Sequence, residues 1–573
     1  MTATLATLVE SEVLSAQTIR LARHIGFLYG EQGDLAIMAA ACTVTALSAG
    51  SVCFDLEHPE DLHLDTDTDI DWPDPATWIE ALRTSAMVAL EPTVRDRPLI
   101  LDGGFVYLTR YWAEQANVVE WLYARRFTEE IPGLDEVLDL FFSGQFSSQR
   151  HAAKVAAESG FCVIAGGPGT GKTTAVARIL AVLGTSKPQR VILTAPTGRA
   201  AARLEQAVQE NLAICESIPG SGFSVRFESV TIHRILGLKP WGGADHDSTR
   251  PIPADVIVVD EASMLSLHLM ALLLDAITDS TRLILLGDPD QLASVEAGAI
   301  LADIVASDET IPVARLTTTY RFSGDIADLA EAIRLGDQSQ ALEVLGRTSD
   351  QIEWIPHDLD PTDVASLDSI RTDIVDQQVA MIEAGSLGDA EAALRSLDSH
   401  RLLLAHRHGV SGVSHWTQVV RQWLHPYIGG SSRWYPGMPI LVTRNDDLLG
   451  VYNGDSGVIV SHGGLHLALG DPTGIRFLSP DMIQACEPLY ASTIHKAQGS
   501  QFDCVSVILP DSSASMLSRE LFYTAVTRAK SRLRIVGSPA TIERAISSRA
   551  LRASGLASKL ADLRQVGADR TTA

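Results

Sequence analysis

The sequence has few cysteines, and their arrangement suggests neither a metal site nor a disulfide framework. Its 573 residues include only six cysteines, scattered along the chain, with no C-x-x-C pair and no histidine cluster beside any of them. A zinc or iron–sulfur site is therefore not expected, and neither is a fold held together by disulfides. Such cysteine usage favours a reducing compartment, and we expect a cytoplasmic protein.

Basic residues are also scarce. The chain has 45 lysines and arginines against 71 aspartates and glutamates, which gives a formal net charge of −26. Such a balance argues against a protein that coats nucleic acid through bulk electrostatic attraction. Any contact with nucleic acid is expected to be local, made in a groove by particular side chains.

The sequence also lacks segments that predict membrane insertion or export. Residues 1–17 contain no basic stretch and do not predict a signal peptide. Leu35–Phe54 carries no charge and has about the length of a membrane span, but it contains several hydroxyl side chains and Gly50. We predict a buried helix there, a turn at Gly50 and a strand over Val52–Leu56, and no membrane anchor.

The hydrophobic pattern indicates several domains, as expected for a chain of this length. Residues 1 to about 125 mix helical patterns with short strands, including a hairpin around Gly103 and Gly104. After about residue 130, apolar strands alternate with helices, which is typical of a parallel sheet in an α/β fold. The predicted strands are Phe161–Ala165, Arg190–Ala195, Val256–Val259 and Arg282–Leu286.

The first of these strands leads into the pattern G-x-x-x-x-G-K-T at residues 166–173, and a helical pattern follows. Glycines let backbone N–H groups wrap around a phosphate, and the helix N-terminus adds its positive dipole end. Lys172 is expected to reach the β- and γ-phosphates, and the Thr173 hydroxyl to hold Mg²⁺. The sequence thus predicts a nucleoside triphosphate site. Its predicted contacts are Gly166, Gly167, Pro168, Gly169, Thr170, Gly171, Lys172, Thr173 and Thr174.

Polar side chains follow two of the other predicted strands. Asp260 is expected to hold Mg²⁺ through water, and Glu261 to act as the base that orients the attacking water. Gln291 is placed to sense the γ-phosphate. A solvated loop is the alternative for an Asp-Glu pair, but the position at the end of a buried strand beside a phosphate loop favours function.

Three more side chains are candidates for the same site. Gln149 precedes the phosphate-loop strand, and its amide offers a donor and an acceptor that suit the adenine edge. Arg321 and Arg528 are candidate arginine fingers, since a guanidinium can neutralise charge that builds on the γ-phosphate. A surface glutamine and surface salt-bridge arginines are the alternatives.

Together these motifs resemble superfamily 1 helicases, in the branch that moves 5′→3′ along DNA. The resemblance implies two RecA-like P-loop domains that face each other across ATP and Mg²⁺. The matching motifs, in family order, are Gln149, 166–173, 194–203, 231–237, 260–263, 286–298, 320–321, 492–499 and 523–530.

Further phrases resemble the RecD family, the α subunits of exodeoxyribonuclease V (RecBCD), and this resemblance spans about residues 15–540. The phrases are residues 50–56, 98–102, 107–112, 402–407, 443–446 and 451–455. The resemblance implies an N-terminal mixed α+β docking domain, two RecA-like domains, a small SH3-like β insertion and a strand-separating pin. The implied bounds are 1–125 for docking, 127–335 and 336–545 for the RecA-like domains, about 430–488 for the insertion and 239–253 for the pin. For the tail at 546–573 we predict only a frayed helix.

The resemblance also implies where single-stranded DNA passes. In the family, the strand crosses both RecA-like domains, and such contacts carry little sequence information. The matching residues also suit structural roles in tight turns. They are Pro196, Thr197, Arg199, Thr231, His233, Thr493, His495 and Lys496.

The function implied is an ATP-dependent 5′→3′ DNA helicase, the motor subunit of a helicase–nuclease in double-strand break repair and homologous recombination. Its implied partners are RecB and RecC, in a heterotrimer, and the 5′ tail of a DNA duplex end. The resemblance places the nuclease site on the β subunit, and this chain shows no separate nuclease constellation, since the carboxylates of its motifs are accounted for by ATP. Two alternatives stay open: a free-standing helicase on DNA or RNA, and an ATP-binding structural or regulatory subunit.

Overall fold

The protein is described from a computed structural model. The described residues are 3–10, 13–62, 70–90, 96–125, 131–142, 146–239, 242–318, 324–357, 367–428, 433–446, 448–471, 474–511, 514 and 516–571.

The N-terminal part is a small mixed sheet covered by helices. Its strands are in the order β1-β4-β3-β2, with β2 parallel to β3 and the other pairs antiparallel. The elements are α1 (Ala3–Glu10), α2 (Ala16–Tyr29), α3 (Asp34–Ser48), β1 (Phe54–Asp55), α4 (Pro75–Thr84), β2 (Val88–Ala89), β3 (Leu99–Asp102), β4 (Phe105–Leu108) and α5 (Thr109–Ala124). The hairpin predicted around Gly103 and Gly104 is confirmed as β3–β4.

The uncharged segment at residues 35–54 is a buried helix followed by a turn, as predicted. Helix α3 is apolar on most of its surface, and Met38 and Cys42 are fully buried. Gly50 has a φ of +94°, which an L side chain rarely adopts, and the strand after it is shorter than predicted. Within the described ranges, no helix combines the length and the apolar character needed to cross a membrane.

A six-stranded parallel sheet forms the middle of the chain, in the order β10-β5-β9-β8-β6-β7. The strands are β5 (Phe161–Ala165), β6 (Gln189–Ala195), β7 (Val225–Thr231), β8 (Val256–Val259), β9 (Arg282–Gly287) and β10 (Val313–Arg315). The helices are α6 (Leu134–Phe141), α7 (Ser147–Glu158), α8 (Lys172–Ser186), α9 (Gly198–Glu216), α10 (Ile232–Leu236), α11 (Leu267–Asp275) and α12 (Ile300–Ala306). The four predicted strands are confirmed, and the α/β class with them.

A second parallel sheet follows, in the order β11-β20-β19-β12-β18. Its strands are β11 (Ile352–Ile355), β12 (His400–Leu404), β18 (Ser492–Thr493), β19 (Phe502–Ile508) and β20 (Ala529–Val536). The helices around it are α13 (Asp325–Leu335), α14 (Gln338–Leu345), α15 (Asp368–Leu387), α16 (Ala390–Ser399), α17 (Val413–Leu424), α18 (Arg519–Val526) and α19 (Pro539–Ser547).

An antiparallel sheet is inserted between β12 and β18, in the order β16-β15-β14-β13-β17. Its strands are β13 (Pro439–Val442), β14 (Ser456–Ser461), β15 (Leu465–Asp471), β16 (Gly474–Leu478) and β17 (Cys486–Pro488). It packs on α15 so closely that a Cβ on Gly437 would lie 2.3 Å from the Cα of Ile382. This contact requires glycine and fixes the sheet on the second domain.

The C-terminal segment differs from the frayed helix expected there. Helix α20 (Leu556–Thr571) packs on α5 and α12, with Leu556 and Leu560 fully buried. Lys559 lies over the rings of Tyr107 and Trp112 and makes a 2.8 Å ion pair with Asp102. The beginning of this helix is therefore part of a core cluster that the N-terminal domain shares with the first parallel-sheet domain.

Candidate active site

The phosphate loop connects β5 to α8 at the C-terminal edge of the first parallel sheet. Gly169 and Gly171 have φ values of +78° and +77°, so the loop needs glycine at both positions. A Cβ on Gly166 would lie 2.7 Å from the Thr170 hydroxyl oxygen. The Lys172 ammonium donates hydrogen bonds to the carbonyls of Gly166, at 2.5 Å, and Gly167, at 3.0 Å. The lysine thus lies folded over its own loop, where phosphate oxygens can replace the two carbonyls.

Asp260 follows β8 directly and lines the same cleft as the phosphate loop. Its carboxylate accepts a 2.8 Å hydrogen bond from the Glu261 backbone N–H. Burial, and then the charge of Glu261, raise the pKa of Asp260 to about 6, although Lys172 opposes this shift. A cation beside this carboxylate would therefore stabilise its charged form.

The donor set fits Mg²⁺ bound with a nucleotide. Thr173 and Asp260 both line the cleft and offer hard oxygen atoms. Among the described residues, no cluster of three or more histidines, cysteines or carboxylates could hold a metal ion alone. Mg²⁺ commonly binds through one or two protein ligands together with phosphate oxygens and water, so the sparse donor set agrees with that ion.

Glu261 has an unusual backbone conformation. Its φ of +52° is the only positive value at a non-glycine residue in the described part of the chain. Such a conformation costs on the order of 1 kcal/mol or more and is concentrated at functional sites. The side chain lines the cleft, near Gly499 of the second domain. The strained backbone of Glu261 therefore lowers the stability of the fold and places its carboxylate in the cleft.

Asp288 is a cleft residue to which sequence reasoning assigned no role. It follows β9, is 2% exposed, and accepts hydrogen bonds from Gln291 at 3.0 Å and from the Tyr523 hydroxyl at 3.1 Å. Burial raises the pKa of Asp288, while Lys172 lowers it. The sequence did indicate a cleft position for Asp288, because Asp288 comes directly after β9, close to the end of that strand, as Asp260 comes directly after the neighbouring strand β8. Tyr523 was quoted only as part of a motif.

Arg528 reaches the cleft from the second domain. It is 2% exposed and donates to Gln291 Oε1 at 2.9 Å, to the Thr524 carbonyl at 3.1 Å and to the Ser500 carbonyl at 3.2 Å. Burial lowers the pKa of the guanidinium, and Glu261 and Asp288 raise it. Gln291 therefore joins Asp288 of the first domain to Arg528 of the second.

Two predicted residues lie elsewhere. Arg321, with Tyr320, falls outside the described residues. Gln149 is buried in α7 and does not line the cleft, and its Oε1 has no hydrogen-bond partner within the described part of the chain. Arg203, quoted only as part of a motif, does line the cleft and donates to the Gly499 carbonyl at 2.8 Å.

Several residues of the predicted DNA path have a structural role. Thr197 and Thr231 cap α9 and α10 by accepting backbone N–H groups, and Thr493 accepts the N–H of Lys496 at 3.3 Å. These roles agree with the alternative that the turns themselves require these residues. Pro196 and His495 are partly exposed.

The cations of the predicted path are held by carboxylates. Arg199 donates to Asp398 of the second domain at 2.6 Å, and Lys496 contacts Glu487 at 2.5 Å. His233 is exposed at the start of α10. DNA phosphates would have to compete with Asp398 and Glu487 for these two cations.

The chain is similar to known proteins over most of its length. Three family models match: an AAA domain at residues 146–356, a UvrD-like helicase C-terminal domain at 488–536, and the N-terminal domain of RecBCD enzyme subunit RecD at 10–107. The RecBCD enzyme subunit RecD of Mycolicibacterium smegmatis is 43% identical, over 96% of this chain and 98% of that protein. The subunit of the same name from Haemophilus influenzae is 30% identical, over 92% and 94%.

Among solved structures, the chain is similar to Bacteroides Pif1 bound to ssDNA, at 16% identity and a TM-score of 0.37, over 69% of this chain and 92% of that one. The phosphate loop, the carboxylates at strand ends and the arginine of a second parallel sheet define an ATPase of the P-loop class. The sequence similarity to the two RecD subunits, over nearly the whole chain, identifies the family within that class. The chain belongs to the RecD family and is an ATP-dependent DNA helicase.

Proposed function

We propose that the chain is the 5′→3′ motor subunit of a RecBCD helicase–nuclease, acting in double-strand break repair and homologous recombination. The observation that carries this proposal is the hydrogen bond between Gln291 and Arg528, at 2.9 Å across the two parallel-sheet domains. ATP binding or storage alone requires no arginine from the second domain. A contact that joins the two domains at the phosphate site allows hydrolysis to drive their relative movement.

The first domain binds the nucleotide. Lys172 exchanges its contacts with the Gly166 and Gly167 carbonyls for phosphate oxygens, and backbone N–H groups of residues 166–173 surround the β-phosphate. Thr173 and Asp260 would hold Mg²⁺, which would neutralise phosphate charge when bound. The raised pKa of Asp260 supports this role. Burial and the charge of Glu261 make the ionised form of Asp260 unfavourable, and a neighbouring cation would offset that cost.

Glu261 orients the attacking water and accepts its proton. The strained backbone at this residue supports an assignment to the reaction rather than to folding. Gln291 and Arg528 then meet the charge that develops on the γ-phosphate. Arg321 is proposed as a second arginine finger and Gln149 as an adenine contact, both on the family resemblance.

The proposed DNA strand crosses both domains. Pro196, Thr197, Arg199, Thr231 and His233 would contact it from the first domain, and Thr493, His495 and Lys496 from the second. Arg199 of the first domain and Lys496 of the second are the two cations of this path, and DNA phosphates would have to displace Asp398 and Glu487 from them. Opening and closing of the cleft would change the distance between the two sets of contacts and so move the chain along the strand.

The other domains have proposed roles from the family. The antiparallel sheet is proposed as the SH3-like insertion, and residues 239–253 as the pin. The N-terminal domain is proposed to dock on the γ subunit of the complex, and the name of the relatives, a subunit of the RecBCD enzyme, supports an assembly of this kind. Helix α2 supports this, because Phe27 is 80% exposed and Leu28 is 65% exposed, with Leu21 and Tyr29 also exposed. Large apolar side chains exposed together on one helix are typical of a partner surface.

Unwinding of two partial duplexes, one with a 5′ tail and one with a 3′ tail, tests the proposal. The assay compares the chain alone, the chain with its partner subunits, and the Lys172→Ala variant. We expect unwinding of the 5′-tailed duplex only, increased by the partners and absent from the variant. Unwinding from the 3′ tail alone would contradict the polarity. Efficient, processive unwinding without partners would favour a free-standing helicase. If neither the chain alone nor the chain with its partners unwinds DNA, although the partners are bound, a structural subunit would be favoured.

A further inference from the structure

The segment between α19 and α20, residues 548–555, crosses from the second domain to the N-terminal domain, and we refer to it as the C-terminal strap. At its start, the Ser548 carbonyl accepts the Arg519 N–H at 2.8 Å, and the Ala550 N–H donates to Glu520 at 2.9 Å. These contacts hold the strap on α18, the helix that precedes Arg528.

At its other end the strap is bonded to the N-terminal domain. The Ala553 carbonyl accepts the Val52 N–H at 2.8 Å, and the Ala553 N–H donates to the Ser51 hydroxyl at 3.1 Å. Both ends of the strap are thus fixed by hydrogen bonds of their backbone groups, so Leu551 and Arg552 between them have defined positions.

Arg552 lies in the middle of the strap, against the loop of residues 288–298, which we call the sensor loop because it carries Gln291. Its guanidinium donates to the Ser294 carbonyl at 2.6 Å and lies 3.4 Å from the Glu296 carbonyl. Burial lowers the pKa of this guanidinium. The Ser294 hydroxyl also donates to Glu296 and Gly298 carbonyls, at 2.8 and 3.0 Å. Arg552 therefore closes a turn in which several carbonyls converge.

Gly50 of the N-terminal domain covers the other side of Arg552. A Cβ at Gly50 would lie 2.8 Å from the Arg552 Cζ, so a larger residue there would push the guanidinium out of its present position. The Gly50 carbonyl also accepts the N–H of Gly298, the last residue of the sensor loop, at 2.9 Å. The N-terminal domain, the strap and the sensor loop consequently form one hydrogen-bonded unit.

The other end of the sensor loop lies in the ATP cleft. Gln291 bridges Asp288 and Arg528, and the next residue, Leu292, is bonded to the second domain by both backbone groups. Its N–H donates to the Thr524 hydroxyl at 2.8 Å, and its carbonyl accepts Gln498 at 2.6 Å. A shift of the carbonyls at 294 and 296 would reach Gln291 within a few residues of backbone.

We infer that Arg552 is a positioning residue for ATP hydrolysis, which holds the sensor loop so that Gln291 meets Arg528. Because Gly50 forms one wall of the Arg552 site, the same contact links the N-terminal domain to the ATP cleft. The inference rests on the proposed function, since its effect is exerted through the roles of Gln291 and Arg528. Arg552 is not among the residues that line the cleft, and so it acts on turnover and not on nucleotide affinity.

The test measures DNA-stimulated ATP hydrolysis by the full chain in three variants. Arg552→Ala is expected to lower kcat roughly tenfold and to leave KM for ATP within about twofold. Arg549→Ala, which removes the same charge from an exposed position of the strap, is the matched control and is expected to keep the parent kcat. In the Gln291→Ala background, Arg552→Ala is expected to add no further loss, because both substitutions disturb the same contact.

Two further variants keep the test decisive if Arg552→Ala unfolds. Arg552→Lys keeps one donor group and is expected to retain more of kcat than the alanine variant. Gly50→Ala keeps the arginine side chain but would push its guanidinium away from the sensor loop, and is expected to lower kcat with KM unchanged; because Gly50 has a φ of +94°, its thermal unfolding is measured beside kcat.

An unchanged kcat in Arg552→Ala, a changed KM alone, or an additive loss in the Gln291→Ala background would overturn the inference. Failure of the proposed function is a separate result, namely hydrolysis that survives in Lys172→Ala.

Discussion

Replacing Asp260 with asparagine is expected to stop ATP hydrolysis and, at the same time, to stabilise the nucleotide-free protein. Burial and the charge of Glu261 raise the pKa of Asp260 from an ordinary 3.8 to about 6. At about 1.4 kcal/mol per pKa unit, the nucleotide-free fold holds this charge at a cost on the order of 3 kcal/mol. The asparagine amide carries no charge and avoids that cost.

The pH dependence follows from the direction of the shift. A raised carboxyl pKa means that the native protein binds the proton more tightly than the unfolded chain, so this group lowers stability as pH rises from about 4 to about 6. Below pH 4 the carboxyl is protonated in both states, and asparagine then brings no electrostatic gain. Above pH 6 the gain is complete.

The measurement is thermal unfolding of the variant and its parent between pH 4 and pH 8, without nucleotide or Mg²⁺. At pH 8 the transition of the first parallel-sheet domain is expected to rise by roughly 5–10 °C, and the difference should fall to about a fifth of that near pH 4. Asp275→Asn, the same change at an exposed residue of that domain, is the control. With Mg²⁺ and an ATP analogue, the parent should have the higher unfolding temperature, since only the parent has the carboxylate that holds the ion. A variant less stable than its parent at pH 8, or a gain independent of pH, would refute the reasoning.

Three further expectations concern turnover and DNA. Glu261→Gln should keep ATP binding and lose turnover, as measured by nucleotide titration and single-turnover hydrolysis. Glu228→Gln is the control, and normal turnover in Glu261→Gln would remove Glu261 from the mechanism. Arg528→Ala should lower kcat by roughly 10³-fold with little change in ATP affinity, and Arg528→Lys should fall between, because an ammonium lacks the planar fork. Glu487→Gln should release Lys496, tighten single-stranded DNA binding and steepen the slope of log K against log salt by about 0.7, and an unchanged slope would contradict the role of Lys496.

The strands that position the ATP site could be predicted from sequence because they are buried on both faces. Phe161–Ala165 and Val256–Val259 are continuous apolar runs and were predicted with their observed bounds. Strand β7 was missed, since it lies at the edge of its sheet and its side chains are largely exposed or half-buried. Strand β10 was missed because it is only three residues long.

The cleft could be predicted where a motif carries its own chemistry. Lys172, Asp260, Glu261, Gln291 and Arg528 all line one cleft, as the motif order implies. The contact of Asp288 with Tyr523 joins residues far apart in the chain, and no local pattern indicates such a pair.

The packing of the C-terminal strap and of α20 was missed for the same physical reason. The apolar spacing of Leu556 and Leu560 at the start of α20 is short and stands in a polar stretch, and the strap before it is bonded to residues 51 and 52, at the other end of the chain. Only the folded chain shows that Arg552 reaches the sensor loop.

The burial of Leu556 and Leu560 between the N-terminal domain and the first parallel-sheet domain has a consequence for how the protein is made. The ribosome completes residues 1–125 long before it reaches the strap, and at typical elongation rates the delay is roughly 20–90 s. During that time Tyr107 and Trp112 lack the Lys559 stem that covers them in the finished protein. The packing of the N-terminal domain is thus completed only after both parallel-sheet domains have been synthesised, and part of its apolar surface lacks its cover until then.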